Sequence, residues 1–307
     1  MQGPTIATGS IAFIGFGEAA RAFLDGWRTN FRFTARLVAY DIKTESPDPE
    51  VRAGKRADYA AAEVTGAASA PEAVDGAEAV FSLVTADQAH QAALAALPGL
   101  AKGAVFFDCN SCAPQTKART AESVDAVGGR YVDVAVMAPV HPRLHRTPLL
   151  ISGAHAEAAA PALAALDMSA KIHEGPVGSA SAVKMIRSIM MKGLEALVCE
   201  CVLAGQKAGV METVLDSLDD TYPGFDWRKR SAYMLERVMT HGVRRAAEMR
   251  EAAATVDLLG LKGAMSRAAV EWQQTVGDLG LRSSAAEPAD YRVLADRILA
   301  RLEGREV

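Results

Sequence analysis

"IAFIGFGEAARAF" occupies residues 11–23, and the fold turns on how it is read. Ile11 to Ile14 is a short apolar run of the kind that forms a buried strand, and a helical pattern begins near Glu18. Between them stand Gly15, Gly17 and Ala20, spaced as Gly-x-Gly-x-x-Ala. Gly15 allows a tight turn, and Gly17 lets the backbone approach a pyrophosphate. Ala20 sits where a third small residue permits close packing of helix on strand. The helix start would turn free N–H groups and a positive dipole end toward phosphates. The triplet alone is weak, but its place in a strand–turn–helix at the start of the chain considerably raises the expectation of a dinucleotide loop. Gly15, Phe16, Gly17, Glu18 and Ala19 are the expected cofactor contacts.

Working outward, "VAYD" closes the next apolar run at Asp41. An acid at that point accepts hydrogen bonds from an adenosine ribose and repels a 2′-phosphate. Its bland reading is a turn or helix-cap residue. NAD is the expected cofactor, and Lys43 together with the alanine at the third glycine position leaves NADP open. Further strands are expected over 64–69, 79–84, 104–108, 131–136 and 148–153, with helices such as 18–28, 86–97 and 113–126 between them. That alternation predicts an α/β Rossmann-type domain, a doubly wound, mostly parallel sheet buried on both faces. Strand signals stop at about Gly178. A long helix over about 179–209 opens an all-helical remainder, with a breaker at "DTYPGFDW" (220–227) and helices near 229–252, 254–276 and 289–303. Two domains result, 1–178 for the cofactor and 179–307 for substrate and dimerisation.

Composition removes several function classes. A formal net charge of −4 with no basic block gives no support for nucleic-acid binding. No apolar run reaches the roughly 20 residues of a membrane span, and the N-terminus lacks signal-peptide character, so a cytoplasmic protein is expected. Cys109, Cys112, Cys199 and Cys201 do not form the two ligand pairs of a structural zinc site. They read as reduced thiols, and no metal is expected.

"AVKMIRSIMMKGLEALVCE" (182–200) poses the main functional question. Val183, Ile186, Ile189, Met190, Leu194, Leu197 and Val198 recur at helical spacing, which predicts a buried apolar face. Lys184, Ser188 and Glu195 share a narrow polar stripe, flanked by Arg187 and Lys192. That stripe is either a face turned to water or the wall of an active site.

Taken together, these stretches resemble the β-hydroxyacid dehydrogenases, the group of 3-hydroxyisobutyrate and 6-phosphogluconate dehydrogenases. "SLVTADQA" (82–89) is similar to the family's fourth-strand loop near the nicotinamide, which implies cofactor contacts at Val84, Thr85 and Ala86. "DCNSCAPQT" (108–116) resembles its D-x-[NS]-[ST]-x-x-P stretch and implies roles for Asn110 toward cofactor and Ser111 toward substrate. "YVDVAVMAP" (131–139) stands in place of D-A-P-V-S-G-G, so Met137, Ala138 and Pro139 occupy the substrate grip, although Pro139 has no N–H to offer. "GPVGSASAVKMIRS" resembles the G-x-G-x-x-x-K-x-x-x-N segment. The resemblance makes Lys184 the general acid or base on a substrate hydroxyl, with Ser188 replacing the family's Asn. It covers about the first 210 residues in order, and "AVMAPVHP" with "SIMMKGLEAL" resembles a branch with its own C-terminal helical domain.

His241, Arg244, Arg245 and Glu248 share a helix stripe that either faces water or holds a substrate carboxylate or phosphate. His141, Arg143 and His145 are either a second anion clamp or part of a surface loop. The expected activity is NAD(P)-dependent oxidation or reduction of a small hydroxy acid or sugar acid by a homodimer or larger homo-oligomer. The competing readings are an imine or ketone reductase and a dinucleotide-binding sensor without turnover.

Overall fold

The computed structural model describes residues 9–30, 35–282 and 290–305. The chain divides into two compact units, Met1–Lys184 and Met185–Val307. The division falls inside a long helix, after 184 rather than after 178.

The first unit alternates strands and helices: β1 (Ser10–Ile14), α1 (Glu18–Asn30), β2 (Arg36–Tyr40), α2 (Pro49–Ala61), β3 (Thr65–Gly66), α3 (Ala70–Val74), β4 (Ala79–Ser82), α4 (Ala89–Ala96), β5 (Val105–Asp108), α5 (Pro114–Ala126), β6 (Arg130–Val136), β7 (Leu149–Ser152), α6 (Ala156–Ala165) and β8 (Ala170–Ile172). The sheet order is β3-β2-β1-β4-β5-β6-β7-β8. All neighbours pair in parallel except β6 with β7. The order reverses at β1, so the crevice beyond the carboxyl ends of β1 and β4 is where a doubly wound sheet takes its ligand.

Alternation along β1 builds both faces of the sheet. Ile11 and Phe13 join one core with Phe23, Trp27 and Phe81, while Ala12 and Ile14 join another with Val38, Val80 and Phe106. Phe13 stacks on Trp27 at 5.8 Å and Phe81 on Phe107 at 4.9 Å, which packs α1 against β1, β4 and β5.

Two sequence expectations need correction here. The strand expected over 64–69 is only Thr65–Gly66, because Ser69 leaves the sheet to accept the Glu72 N–H and cap α3, with Pro71 in its first turn. The strand β8, half exposed and only three residues long, gave no apolar run to detect.

The helix α7 (Ser179–Ala208) leads from the first unit into α8 (Met211–Thr221), α9 (Trp227–Leu258), α10 (Ala264–Asp278) and α11 (Tyr291–Leu302). Here α9 runs on where the sequence pattern broke at 253, and ends in a turn with Gly260 at φ +77°. Its backbone crosses α10 closely at Gly242 and Gly277, where an added Cβ would come within 2.3 Å of Gln273 O and 2.5 Å of Val243 N. Leu235, Val238, Leu294 and Ile298 centre this unit's core.

The expected faces of α7 are inverted in part. Ile186 (49% exposed), Met190 (69%) and Leu197 (55%) stay uncovered in the single chain, whereas Ser188 (4%), Lys192 (9%) and Glu195 (3%) are buried. The reason is pairing. Each buried polar group meets a partner within the helical unit, which makes its desolvation tolerable.

Candidate active site

The glycine loop has the geometry its sequence predicts. Gly15 adopts φ +85°, and a Cβ there would lie 2.5 Å from Leu83 O, so no L side chain fits. At Gly17 an added Cβ would meet nothing within 4 Å. The chain's own packing therefore does not demand a glycine at 17, and the space beside it is open to a ligand that must approach the backbone closely. Ala20 is fully buried under the sheet. These features fit a dinucleotide's pyrophosphate at the start of α1.

Phe16 is held from both sides. Its N–H donates to Asp41 Oδ2 at 2.9 Å, and Lys55 Nζ donates to its carbonyl at 2.8 Å. The buried Lys55 also pairs with Asp58 at 2.8 Å and holds that carboxyl below the usual carboxylate range. Asp41 accepts the Lys43 N–H as well, at 3.0 Å, so it is a cap residue and a loop tie at once. Each carboxylate oxygen can accept a second hydrogen bond, which leaves capacity for ribose hydroxyls. Lys55 gave no sequence signal, since a lysine on a polar helix is ordinarily solvated.

The loops after β4 and β5 are stapled by one side chain. Asn110 Oδ1 accepts the Val84 N–H at 2.6 Å, and its Nδ2 donates to Ser82 Oγ at 2.9 Å and Asp108 Oδ1 at 2.7 Å. Asn110 is buried, and its amide works inside the fold. Thr85 and Ala86 open the turn that follows. Next to the staple, Lys184 Nζ donates to Ser111 Oγ at 2.6 Å, with both residues half-buried. The sequence reading thus names two groups that the first unit brings into direct contact.

The substrate-grip positions are less favourable. Met137 donates its N–H to Pro148 O at 2.9 Å, and Pro139 has none. His145 is buried with Nε2 3.4 Å from Asp167 Oδ2, and burial lowers its pKa. His141 and Arg143 are exposed, so the three residues do not form one clamp.

Beneath this site lies a polar network the sequence reading missed. Lys117, with no exposed surface, lies 3.0 Å from Asp108 Oδ1 and 3.5 Å from Asp133 Oδ1. Burial opposes its charge, but the two carboxylates outweigh that and raise its pKa. Tyr131 donates to Asp108 Oδ2 at 2.6 Å, and burial together with that carboxylate pushes its pKa well up. The available signal was an aspartate in the middle of "YVDVAV", since a buried carboxylate requires a partner.

In the helical unit Ser188 Oγ accepts from Lys192 Nζ at 2.9 Å, and Lys192 pairs with Glu248 at 2.9 Å. Arg245 pairs with Glu195 at 2.7 Å. Burial raises the Glu195 pKa and lowers that of Arg245 despite their mutual attraction. Arg245 is therefore an internal ion-pair member rather than part of a face turned to water, while Arg244 stays exposed and pairs with Glu248 at 3.4 Å. His241 is half-buried, and burial, then Arg237 and Arg244, lower its pKa.

All four cysteines are free thiols, and burial pushes Cys109 and Cys199 up to about 12. Among the described residues no helix is long and apolar enough to cross a membrane.

Comparison with known proteins agrees with this geometry. Residues 10–190 match the model described as the NAD binding domain of 6-phosphogluconate dehydrogenase. Residues 206–276 match a domain of unknown function, DUF1932. A 3-hydroxyisobutyrate dehydrogenase from Pseudomonas aeruginosa is 27% identical over 228 residues, 71% of each chain. The crystal structure of a conserved hypothetical protein from Sinorhizobium meliloti is 38% identical, with 96% of this chain and 97% of that one covered at a TM-score of 0.72. A conserved protein of unknown function, described as structurally similar to 3-hydroxyacid dehydrogenases, is 26% identical over 88% of this chain and 97% of its own, at a TM-score of 0.66.

Proposed function

We propose, from the premise that the chain belongs to the family of the 6-phosphogluconate dehydrogenase NAD-binding domain, that it oxidises a small hydroxy acid or sugar acid with Lys184 as general acid/base. The observation that carries this reading is the Lys184 ammonium 2.6 Å from Ser111 Oγ, in the same unit as the glycine loop. A nicotinamide dinucleotide would supply the hydride acceptor or donor. This chain's own work is to hold the dinucleotide's pyrophosphate at Gly15, Gly17 and the start of α1, and to manage the substrate's proton. As a hydroxyl carbon gives up hydride, its oxygen must lose a proton; Lys184 as the neutral amine can take it, and as the ammonium it returns the proton to the oxygen in the reverse, reductive direction. Ser111 orients the lysine, whereas Ser188 lies in the second unit, where its hydroxyl accepts from Lys192.

One observation favours a second reading. Met137 has spent its N–H on Pro148 and Pro139 has none, so the backbone grip for a substrate carboxylate is short of donors. A substrate without that carboxylate, such as an imine or ketone, fits this better. Turnover of 3-hydroxy acids, sugar acids and imines with both cofactors separates the readings. Hydroxy-acid oxidation is the expected result; reduction of imines alone would replace the first reading with the second, and cofactor binding without any turnover would leave a dinucleotide sensor.

NAD should bind more tightly than NADP. Asp41 lies against the glycine loop, accepting the Phe16 N–H, and a 2′-phosphate beside it would cost about 1–3 kcal/mol in a partly buried site. Fluorescence titration of Asp41→Asn should narrow the gap; tighter NADP binding by the unaltered chain would refute the assignment.

The same reading makes the chain a homodimer or larger. Ile186, Met190 and Leu197 uncovered on one helix are the surface that a second copy would bury. Light scattering should return at least twice the chain mass, and a monomer at micromolar concentration would contradict it.

A further inference from the structure

The first N–H groups of a helix have no partner inside it and are ordinarily capped by a neighbouring Ser, Thr, Asp or Asn. The start of α7 is capped from far away. Asp133 Oδ2, on β6, accepts the N–H groups of Gly178 at 3.1 Å and Ser181 at 3.0 Å. Its Oδ1 accepts the Ser181 hydroxyl at 2.6 Å. Ser152, on β7, donates to Asp133 Oδ2 at 3.0 Å and accepts the Ala180 N–H at 2.9 Å. Three N–H groups at the helix start, those of Gly178, Ala180 and Ser181, are thus bolted to the sheet through buried side chains, and Lys184 follows Ser181 by a single turn.

The partner of Lys184 is bolted to the same place. Asp108 stands directly opposite Asp133 in the β5–β6 register, and Ser111 follows it by three residues. Lys117 Nζ donates to the Asp108 carbonyl at 2.6 Å and lies against both carboxylates. Without that cation two carboxylates on adjacent strands would face each other with no exposed surface. With it, one unit of negative charge remains, next to the positive end of α7, where it is favourable.

We propose that Asp133 is a positioning residue for Lys184, and that Lys117 is the common post from which two arms, Asp133 to α7 and Asp108 to Ser111, set the Lys184–Ser111 contact. The importance of that contact rests on the reaction assigned above. The geometry of the arms does not. An ångström of slack in a catalytic group can cost about a hundredfold in rate, so a cap rigid enough to fix one side chain has a direct catalytic value.

The test uses Asp133→Asn and Ser181→Ala in the full chain, with circular dichroism to establish folding. Acetic anhydride labelling of Lys184, read by mass spectrometry against the exposed Lys102, reports the environment of the ammonium without needing a substrate. Asp133→Asn is expected to change the Lys184/Lys102 labelling ratio by about threefold or more as the lysine's hydrogen bond gives way. It should also lower kcat by about ten- to a hundredfold with the KM for NAD unchanged. Ser181→Ala, which removes one bond of the cap, should move both readouts the same way by less, and it decides the matter if Asp133→Asn does not fold. Folded variants with the unaltered labelling ratio would overturn the proposal. If the unaltered chain turns over nothing, the reaction assigned above fails on its own, and the labelling still decides whether Asp133 positions Lys184.

Discussion

Lys184→Met is expected to lower kcat by about 10²–10⁴-fold, the usual contribution of a general acid/base, while NAD affinity stays nearly intact. Methionine keeps most of the lysine's length and suits a helix, so the variant should fold. What it loses is the ammonium that donates to Ser111 Oγ. The glycine loop is tied down independently, through Asp41 and Lys55, and has no reason to respond. Steady-state kinetics with parallel NAD titration would show the split, and the pH–rate profile should lose one limb. A folded variant that turns over at near the original rate would remove Lys184 from the chemistry and leave it as an ordinary polar contact.

Lys117→Met should be the most damaging substitution for stability. The lysine has no exposed surface and stands between Asp108 and Asp133. Removing one partner from a buried ionic group, and so leaving carboxylates uncompensated, costs about 3–5 kcal/mol. That is a large part of the roughly 5–15 kcal/mol that holds a typical domain together. Urea unfolding should show the transition of the first unit moved to lower denaturant, and adding Asp133→Asn should recover part of the loss because one of the facing charges is gone. Unchanged unfolding in the single variant would mean that water or rearrangement compensates the pair, and the post described for Lys117 would fall with it.

Local constraints were legible in the sequence, whereas long-range pairings were not. Gly15 stood out because a turn at positive φ leaves little choice of residue, and Gly17 through its spacing from it. The order of apolar runs conveyed a parallel sheet because strands buried on both faces cannot carry alternating polar residues. Lys184 and Ser111 were each recognisable from their surrounding motifs, and the fold brings them together. Lys55 and Lys117 were invisible because a lysine within a polar helical stretch is nearly always solvated, and what changes that is the distant Phe16 carbonyl beside Asp58 for Lys55, and Asp108 and Asp133 on neighbouring strands for Lys117. The faces of α7 were misread for the same reason. Hydrophobicity put Ile186, Met190 and Leu197 inside, but Glu195 and Lys192 find Arg245 and Glu248 across the helical unit, and the apolar side chains are left uncovered. Arg245 shows the same limit, since its stripe pattern could not reveal that its partner lies fifty residues earlier in the chain.

The central claim is hydride transfer between a substrate carbon and a nicotinamide, and deuterium tests it most directly. The best substrate from the hydroxy-acid and sugar-acid panel, deuterated at the carbon that bears the hydroxyl, is incubated with the full chain and NAD, and the cofactor is recovered for mass spectrometry. The account predicts that the reduced cofactor carries the deuteron and that Lys184→Met slows its appearance. Cofactor recovered bound but unreduced across the whole panel, or reduced without deuterium, would contradict it.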